Sequence, residues 1–174
     1  MRIVGHAVRV FAVAGYHATP VADVATAAQV SPAYVFRLFT GKLGLFTAAV
    51  DHCFAQVAEA LVAGGESAGE TDAAGRLDAM TAAYVELIGD RDLIMLQAHA
   101  QSAADVPEVR EAVQRGLALV VRTVRRVSGA PEADVQRFIA YGQLCHLIAQ
   151  TGLDDLDTDW AALLTRGISH PVPR

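Results

Sequence analysis

Two helix starts of the same kind, Thr19-Pro20 and Ser31-Pro32, constrain this chain more than anything else in it. Each sets a good N-cap residue before a proline, and proline fits only the first turn of a helix. Between them there is room for one short helix, with Val21, Val24, Ala25 and Ala28 on its apolar face, and a connection of Gln29-Val30-Ser31. Upstream, Val4, Ala7, Val8 and Phe11 recur at i, i+3, i+4 and i+7, which predicts a helix stopping at Gly15. Downstream, the third helix carries Val35, Leu38 and Phe39 inward and shows Pro32, Ala33, Tyr34 and Arg37 to solvent, until Thr40-Gly41 breaks it. Two short helices joined this way, with small residues Ala25, Ala27 and Ala28 permitting a close crossing, have the layout of a helix-turn-helix. The second helix of such a pair lies in the major groove of DNA.

The rest of the chain also reads as helix, without alternating β-runs. A long helix is expected from Lys42 to Val62, then a mobile loop from Ala63 to Gly75, rich in glycine, alanine, serine and acids. Helices follow over residues 74–89 and 90–103. Asp105-Val106-Pro107 caps the next one, with Val109, Val113, Leu117, Val120, Val124 and Val127 on one stripe and Arg115, Arg122 and Arg126 on a solvated one, up to Ser128-Gly129. Residues 131–152 form the most apolar helix, residues 157–167 the last, and the tail His170–Arg174 should fray. The expected fold class is all-α with about nine helices: a three-helix head, residues 1–46, and a six-helix body, residues 47–174.

Charge follows the same division. Residues 1–46 hold Arg2, Arg9, Arg37 and Lys42 against Asp23 alone, a balance of +3, while ten arginines against eighteen acids leave −8 on the remainder. A basic head can approach phosphates that an acidic body repels. The longest stretch without a formal charge, Phe138 to Leu153, has sixteen residues, short of the ~20 a bilayer span wants, so no membrane partner is expected. No basic-then-apolar leader pattern opens the chain, and Cys53 and Cys145, 92 positions apart, suit a reducing cytosol; a cytoplasmic protein is expected. The six histidines, at 6, 17, 52, 99, 146 and 170, lack the spacing and company of a zinc site, so no metal or other cofactor is expected. His99 and His146 sit inside apolar helices, where a satisfied core histidine is the default. No Ser-His-Asp set, nucleophile elbow or phosphate loop appears, which leaves no catalytic residues and no enzyme.

Gly15-Tyr16, Thr19, Val24-Ala25 with Ala28, Val30-Ser31, Val35, Arg37, Phe39, Lys42 and Leu45-Phe46 form an ordered pattern that resembles the N-terminal domain of the TetR/AcrR family of bacterial transcriptional regulators. The resemblance is close over residues 2–50 and architectural beyond them. It implies double-stranded DNA as partner, with the Thr19 and Ser31 caps, the third helix (Pro32, Ala33, Tyr34, Arg37) and Lys42 on the operator. The two caps would also turn free N–H groups toward phosphates. Tyr34 is expected in the groove rather than against the first helix, and Arg37 on phosphate. The chain departs from the family at Gln29, where the turn glycine usually stands, at Phe36, which replaces a tyrosine, at Leu38, where tyrosine or histidine is common, and at Gly44. A left-handed Gln29 would cost about 1 kcal/mol.

The resemblance also implies a small-molecule pocket in the body. Met80, Tyr84, Leu87, Met95, His99, Val120, Phe138 and Tyr141 are the candidates, apolar or aromatic with a few polar tips, and core packing is the competing explanation for each. Helix 131–152 is apolar on nearly all sides and the last helix adds Trp160, so a partner subunit must cover one side. Val135, Ile139, Gly142, Leu147, Trp160, Leu163 and Leu164 are the expected homodimer contacts. The reading is a homodimeric regulator, a repressor, that binds a pseudo-palindromic operator and is released by a small-molecule effector. The alternative is a helical small-molecule carrier or sensor whose head no longer binds DNA specifically.

Overall fold

A computed structural model of the chain describes residues 2–168, and every regular element among them is helical. The order is α1 (Arg2–Ala18), α2 (Val21–Ala27), α3 (Pro32–Leu38), α4 (Gly41–Ser67), α5 (Ala73–Leu87), α6 (Arg91–Ser102), α7 (Pro107–Ser128), α8 (Glu132–Thr151), a turn of 3-10 helix (Leu153–Asp155) and α9 (Asp159–Thr165). This is the expected all-α class. Met1 and the tail His170–Arg174 lie outside the described residues.

The expected loop over 63–75 is mostly helix instead, because α4 continues to Ser67. Its glycines are there for close packing. A Cβ on Gly64 would sit 2.7 Å from the Ala83 Cβ and 2.8 Å from the Ala79 carbonyl oxygen, and one on Gly65 would sit 2.2 Å from Val127 Cγ1. What remains of the loop ends where Asp72 caps α5, its carboxylate accepting the Gly75 N–H at 2.9 Å.

The chain folds as two compact units. The first holds the residues up to Gln56 together with Asp92–Leu119, the second Val57–Arg91 together with the residues from Val120 onward. The first is thus larger than the head read from sequence, since it takes in most of α6 and the first half of α7. Its core includes Phe11, Val24, Val35, Leu45, Phe46, Ile94 and Leu96, all essentially inaccessible, with the Phe11 and Phe46 rings edge to face at 4.9 Å. The Cys53 thiol donates to the Leu93 carbonyl at 3.5 Å, and Arg115 meets both carboxylate oxygens of Asp51 at 3.0 and 3.2 Å, so this arginine is not simply solvated. The second unit buries Leu61, Met80, Ile88, Val124 and Ile148.

Among the described residues, α4 alone is long and apolar enough to cross a membrane by length and composition. Leu45, Phe46, Ala49, Val50, Cys53, Phe54, Val57, Ala58 and Leu61 along it are buried within the protein, as in a core helix.

Candidate functional site

The head is assembled by α1 against α2 and α2 against α3. Val4, Ala7, Val8 and Phe11 are buried on α1, and Val21, Val24, Ala25 and Ala28 on and just after α2, as their spacing predicts. Gly15 interrupts α1 at φ 71°, ψ −172°, a conformation open essentially to glycine alone. There the His99 side chain of α6 fills the space where a Cβ would be, its Nδ1 2.7 Å from that position. Its Nε2 is buried without a hydrogen-bond partner, so His99 is not the satisfied core histidine expected.

The α2 cap differs from its expected form. Pro20, not Thr19, is the capping residue; Thr19 is 2 % exposed and its hydroxyl is buried without a partner. Proline's fixed φ lets it hold the extended cap geometry, φ −71° and ψ 146°, which moves the helix start one residue on. α2 ends in a Schellman motif: the Val30 N–H donates to the Ala25 carbonyl at 2.9 Å and the Gln29 N–H to the Thr26 carbonyl at 3.0 Å. Gln29 is the left-handed residue this requires, at φ 56°, the only non-glycine with positive φ among the described residues.

Ser31 caps α3 as expected, accepting the Tyr34 N–H at 3.2 Å, with Pro32 in the first turn. Val35 is the one buried residue of α3. Pro32, Ala33, Tyr34 and Arg37 face solvent. Leu38, expected inside, is instead 41 % exposed, and Phe36 is 54 % exposed. The helix is a mere seven residues long, so Val35 with half-buried Phe39 completes its inner face and Leu38 falls on its flank. The Arg37 guanidinium stacks 4.9 Å from the Tyr34 ring centroid. Lys42, in the first turn of α4, donates to the His17 carbonyl at 2.9 Å and lies 5.1 Å from the Tyr16 ring centroid, so its ammonium ties α4 to the end of α1.

The second unit contains a cavity of about 230 Å³ between α5, α8 and the residues after α9. Of the candidate ligand residues, Tyr84, Phe138 and Tyr141 line it, with Asp78, Thr81, Val85, Gly142, Cys145, Gly167 and Ile168. The Tyr84 hydroxyl pairs with Nε2 of His146, which is 4 % exposed, and the two rings stack. Burial alone lowers the His146 pKa to about 4, so the imidazole is neutral, and burial raises the Cys145 thiol to about 11, which makes it inert.

The other expected pocket residues are elsewhere. Met80 and Val120 are core, Leu87 is half-buried off the cavity, and Met95 and His99 belong to the first unit. At 100° per residue, Met80 and Leu87 turn away from the Asp78–Thr81–Val85 stripe. That stripe, and Phe138, Tyr141, Gly142 and Cys145 at i, i+3, i+4 and i+7 on α8, is the signal that would have found the missed lining. Among the described residues no group of three His, Cys, Asp or Glu side chains could hold a metal.

Of the expected dimer contacts, Leu147, Trp160 and Leu163 are 47, 54 and 69 % exposed. Ile139 and Leu164 are half-buried. Val135 is buried within its own unit, and Gly142 faces the cavity, its missing Cβ 3.8 Å from the Tyr84 ring.

Residues 3–49 match the family described as bacterial regulatory proteins, tetR family. The fold is similar to that of the transcriptional regulator FadR from Bacillus subtilis in complex with stearoyl-CoA, at TM-score 0.72 and 19 % identity over 94 % of this chain and 92 % of that one. The fatty acid degradation regulator FadR from Bacillus halodurans gives 0.70 and 17 % over the same shares. A TetR-family regulator from Mesorhizobium loti gives 0.65 and 18 % over 99 % of this chain and 86 % of that one. No curated protein matches the sequence. The fold and the head together are those of a helix-turn-helix protein, similar to these transcriptional regulators. Over residues 3–49 the chain is thus similar to the N-terminal domain of the tetR family, the domain its residues resemble.

Proposed function

We propose that this regulator is a cytoplasmic homodimeric repressor. It binds a pseudo-palindromic operator through residues 1–46 and leaves it when a small molecule enters the body, residues 47–174. The observation that carries the reading is the outer face of α3: Pro32, Ala33, Tyr34 and Arg37 all exposed on a helix fixed from below by Val35 and from its start by Ser31. Such a helix has its outer side chains free for a DNA groove. Ser31, Arg37 and Lys42 serve the phosphates, while Thr19, 2 % exposed, supports the start of α2 from within rather than touching DNA. Two-fold symmetry then sets the two recognition helices ~34–36 Å apart.

Support for the dimer comes from Leu147, Trp160 and Leu163, whose exposure on α8 and α9 leaves an apolar surface of the kind that marks interfaces. A two-fold contact would pair the same patch on both subunits, with Ile139 and Leu164 at its edge. Support for an effector comes from the aromatic cavity around Tyr84, Phe138 and Tyr141, somewhat smaller than the ~300–1,000 Å³ usual for ligand sites, and from the likeness to a regulator solved with stearoyl-CoA. Release requires that the ligand bind the two operator-spacing states with different affinity.

The carrier reading has two specific supports, the Lys42 ammonium engaged by the His17 carbonyl and the buried Thr19 hydroxyl. Fluorescence anisotropy with duplexes tiling the upstream region, at two salt concentrations, separates the two. The repressor gives tight binding to an inverted repeat, with a log–log salt slope of about −0.9 per phosphate contact. Weak binding, equal on all duplexes and lost in modest salt, gives the carrier.

A further inference from the structure

The outward side chains of α3 can do only a narrow range of chemistry on a base pair. Bidentate recognition of adenine needs Asn or Gln, and recognition of guanine needs Arg or Lys. α3 has neither Asn, Gln nor Lys. Its one charged side chain, Arg37, lies over the Tyr34 ring, and the Ser31 hydroxyl before it already accepts a backbone N–H. Apart from the Tyr34 hydroxyl, the rest of its exposed side-chain surface is carbon: Pro32, Ala33, the Tyr34 ring, Phe36 and Leu38. Phe36 at 54 % and Leu38 at 41 % exposure flank the outer face on opposite sides, and Leu38 and Tyr34 continue into an open, mostly apolar recess with Ile3, Ala28 and Val30, to which Arg2 adds the one charge. In the major groove, the one base feature that carbon surface can recognise is the C5 methyl of thymine.

We propose that this protein reads its operator chiefly through thymine methyl groups, with Phe36 and Leu38 as specificity-determining residues. The occupant of the apolar face is therefore duplex DNA. The +3 balance of residues 1–46, against −8 on the rest of the chain, favours a polyanion over a second copy of the protein at this face. The inference rests on the DNA-binding reading above. It explains how a recognition helix nearly devoid of hydrogen-bonding side chains discriminates sequence: the half-site presents thymines where α3 presents carbon.

The test removes the methyl and nothing else. Duplexes with a randomised centre are selected on the full-length protein, and the selected duplex is remade with deoxyuridine for thymine, one position at a time. Pairing and every groove hydrogen-bonding group are retained. At one or more thymines of each half-site, binding should weaken about fourfold, the equivalent of about 0.8 kcal/mol for one buried methyl-sized group. Altering both half-sites should give about sixteenfold, the product for independent contacts. Phe36→Ala and Leu38→Ala should each abolish the thymine-over-uracil preference at a particular position, with helical content and melting temperature unchanged. A selected duplex bound equally well without its methyls overturns the inference and leaves DNA binding standing. Variants that keep the preference at every position also overturn it. If either variant changes the oligomeric state while DNA binding is untouched, the face belongs to a protein partner and the inference is wrong. Failure to select any duplex removes the DNA-binding reading and this one with it.

Discussion

Gly15→Ala should destabilise the first compact unit through two separable effects. The backbone at φ 71°, ψ −172° lies in a region that L-residues avoid, and holding alanine there costs about 1–3 kcal/mol. Independently, the new methyl would meet the His99 ring at 2.7 Å from Nδ1 and 3.0 Å from Cγ. Overpacking of that kind costs a further ~1–3 kcal/mol. The single substitution should therefore lose about 2–6 kcal/mol, a large part of a domain's usual 5–15. His99→Ala removes the ring without breaking a hydrogen bond at the unpartnered Nε2, so only the steric part of the Gly15→Ala cost should vanish in that background. Urea unfolding followed by circular dichroism, at fixed protein concentration, gives the four stabilities of the cycle. The coupling should be about 1–3 kcal/mol, with Gly15→Ala the milder change when His99 is absent. Equal cost in both backgrounds would refute the steric argument. A Gly15→Ala protein within ~0.5 kcal/mol of wild type would refute both parts.

Three further changes test other parts of the structure. Gly116→Ala would drive a methyl to 2.0 Å from the Phe54 ring, so it should cost about 3 kcal/mol in the same unfolding assay, partly recovered by Phe54→Leu. Gln29→Gly should stabilise by somewhat under 1 kcal/mol, since it removes a left-handed strain of about 1 kcal/mol and adds a few tenths of unfolded-chain entropy; a loss of stability would show that Gln29 makes a contact worth more than its strain. His146, lowered by burial from 6.5 to about 4, stays neutral while the unfolded chain takes up its proton, so stability is full above about pH 6.5 and falls between there and pH 4, by about 3 kcal/mol at the lower end. His146→Gln, which still offers the Tyr84 hydroxyl an acceptor, should flatten that slope in unfolding curves taken across the window.

The parts of the fold legible in the sequence are those governed by local periodicity and caps. Val4, Ala7, Val8 and Phe11, and again Val21, Val24, Ala25 and Ala28, are buried because helical spacing leaves them no other face. Ser31-Pro32 starts α3 because a hydroxyl and a fixed φ suffice for it locally. Thr19-Pro20 has the same composition, yet there proline itself holds the cap and the threonine side chain is buried. Nothing within the dipeptide distinguishes the two; the surroundings do. The cavity was legible in the same partial way. Tyr84, Phe138 and Tyr141 line it as single aromatic residues, while Asp78, Thr81 and Cys145 follow only when their helical stripes are extended.

What could not be read locally is the glycine chemistry, because a glycine's role depends on what approaches it. In sequence, Gly64-Gly65 has the composition of a loop and Gly15 that of a helix stop. In the structure the first pair is helical, held to α5 and α7 at separations that any Cβ would violate, and Gly15 kinks α1, which resumes to Ala18, with the His99 side chain of α6 in the space of its missing Cβ. The same contact explains why the first compact unit extends beyond the helix-turn-helix. A residue about eighty positions downstream fits against the bend that aims α1 toward α2, so α6 is built into the unit that carries the recognition helix. Sequence periodicity assigned α6 to the body because it follows the body's first helices in the chain. The glycine packs it into the compact unit that also holds the helix-turn-helix, since only a neighbour in space can fill the volume that a side chain would take.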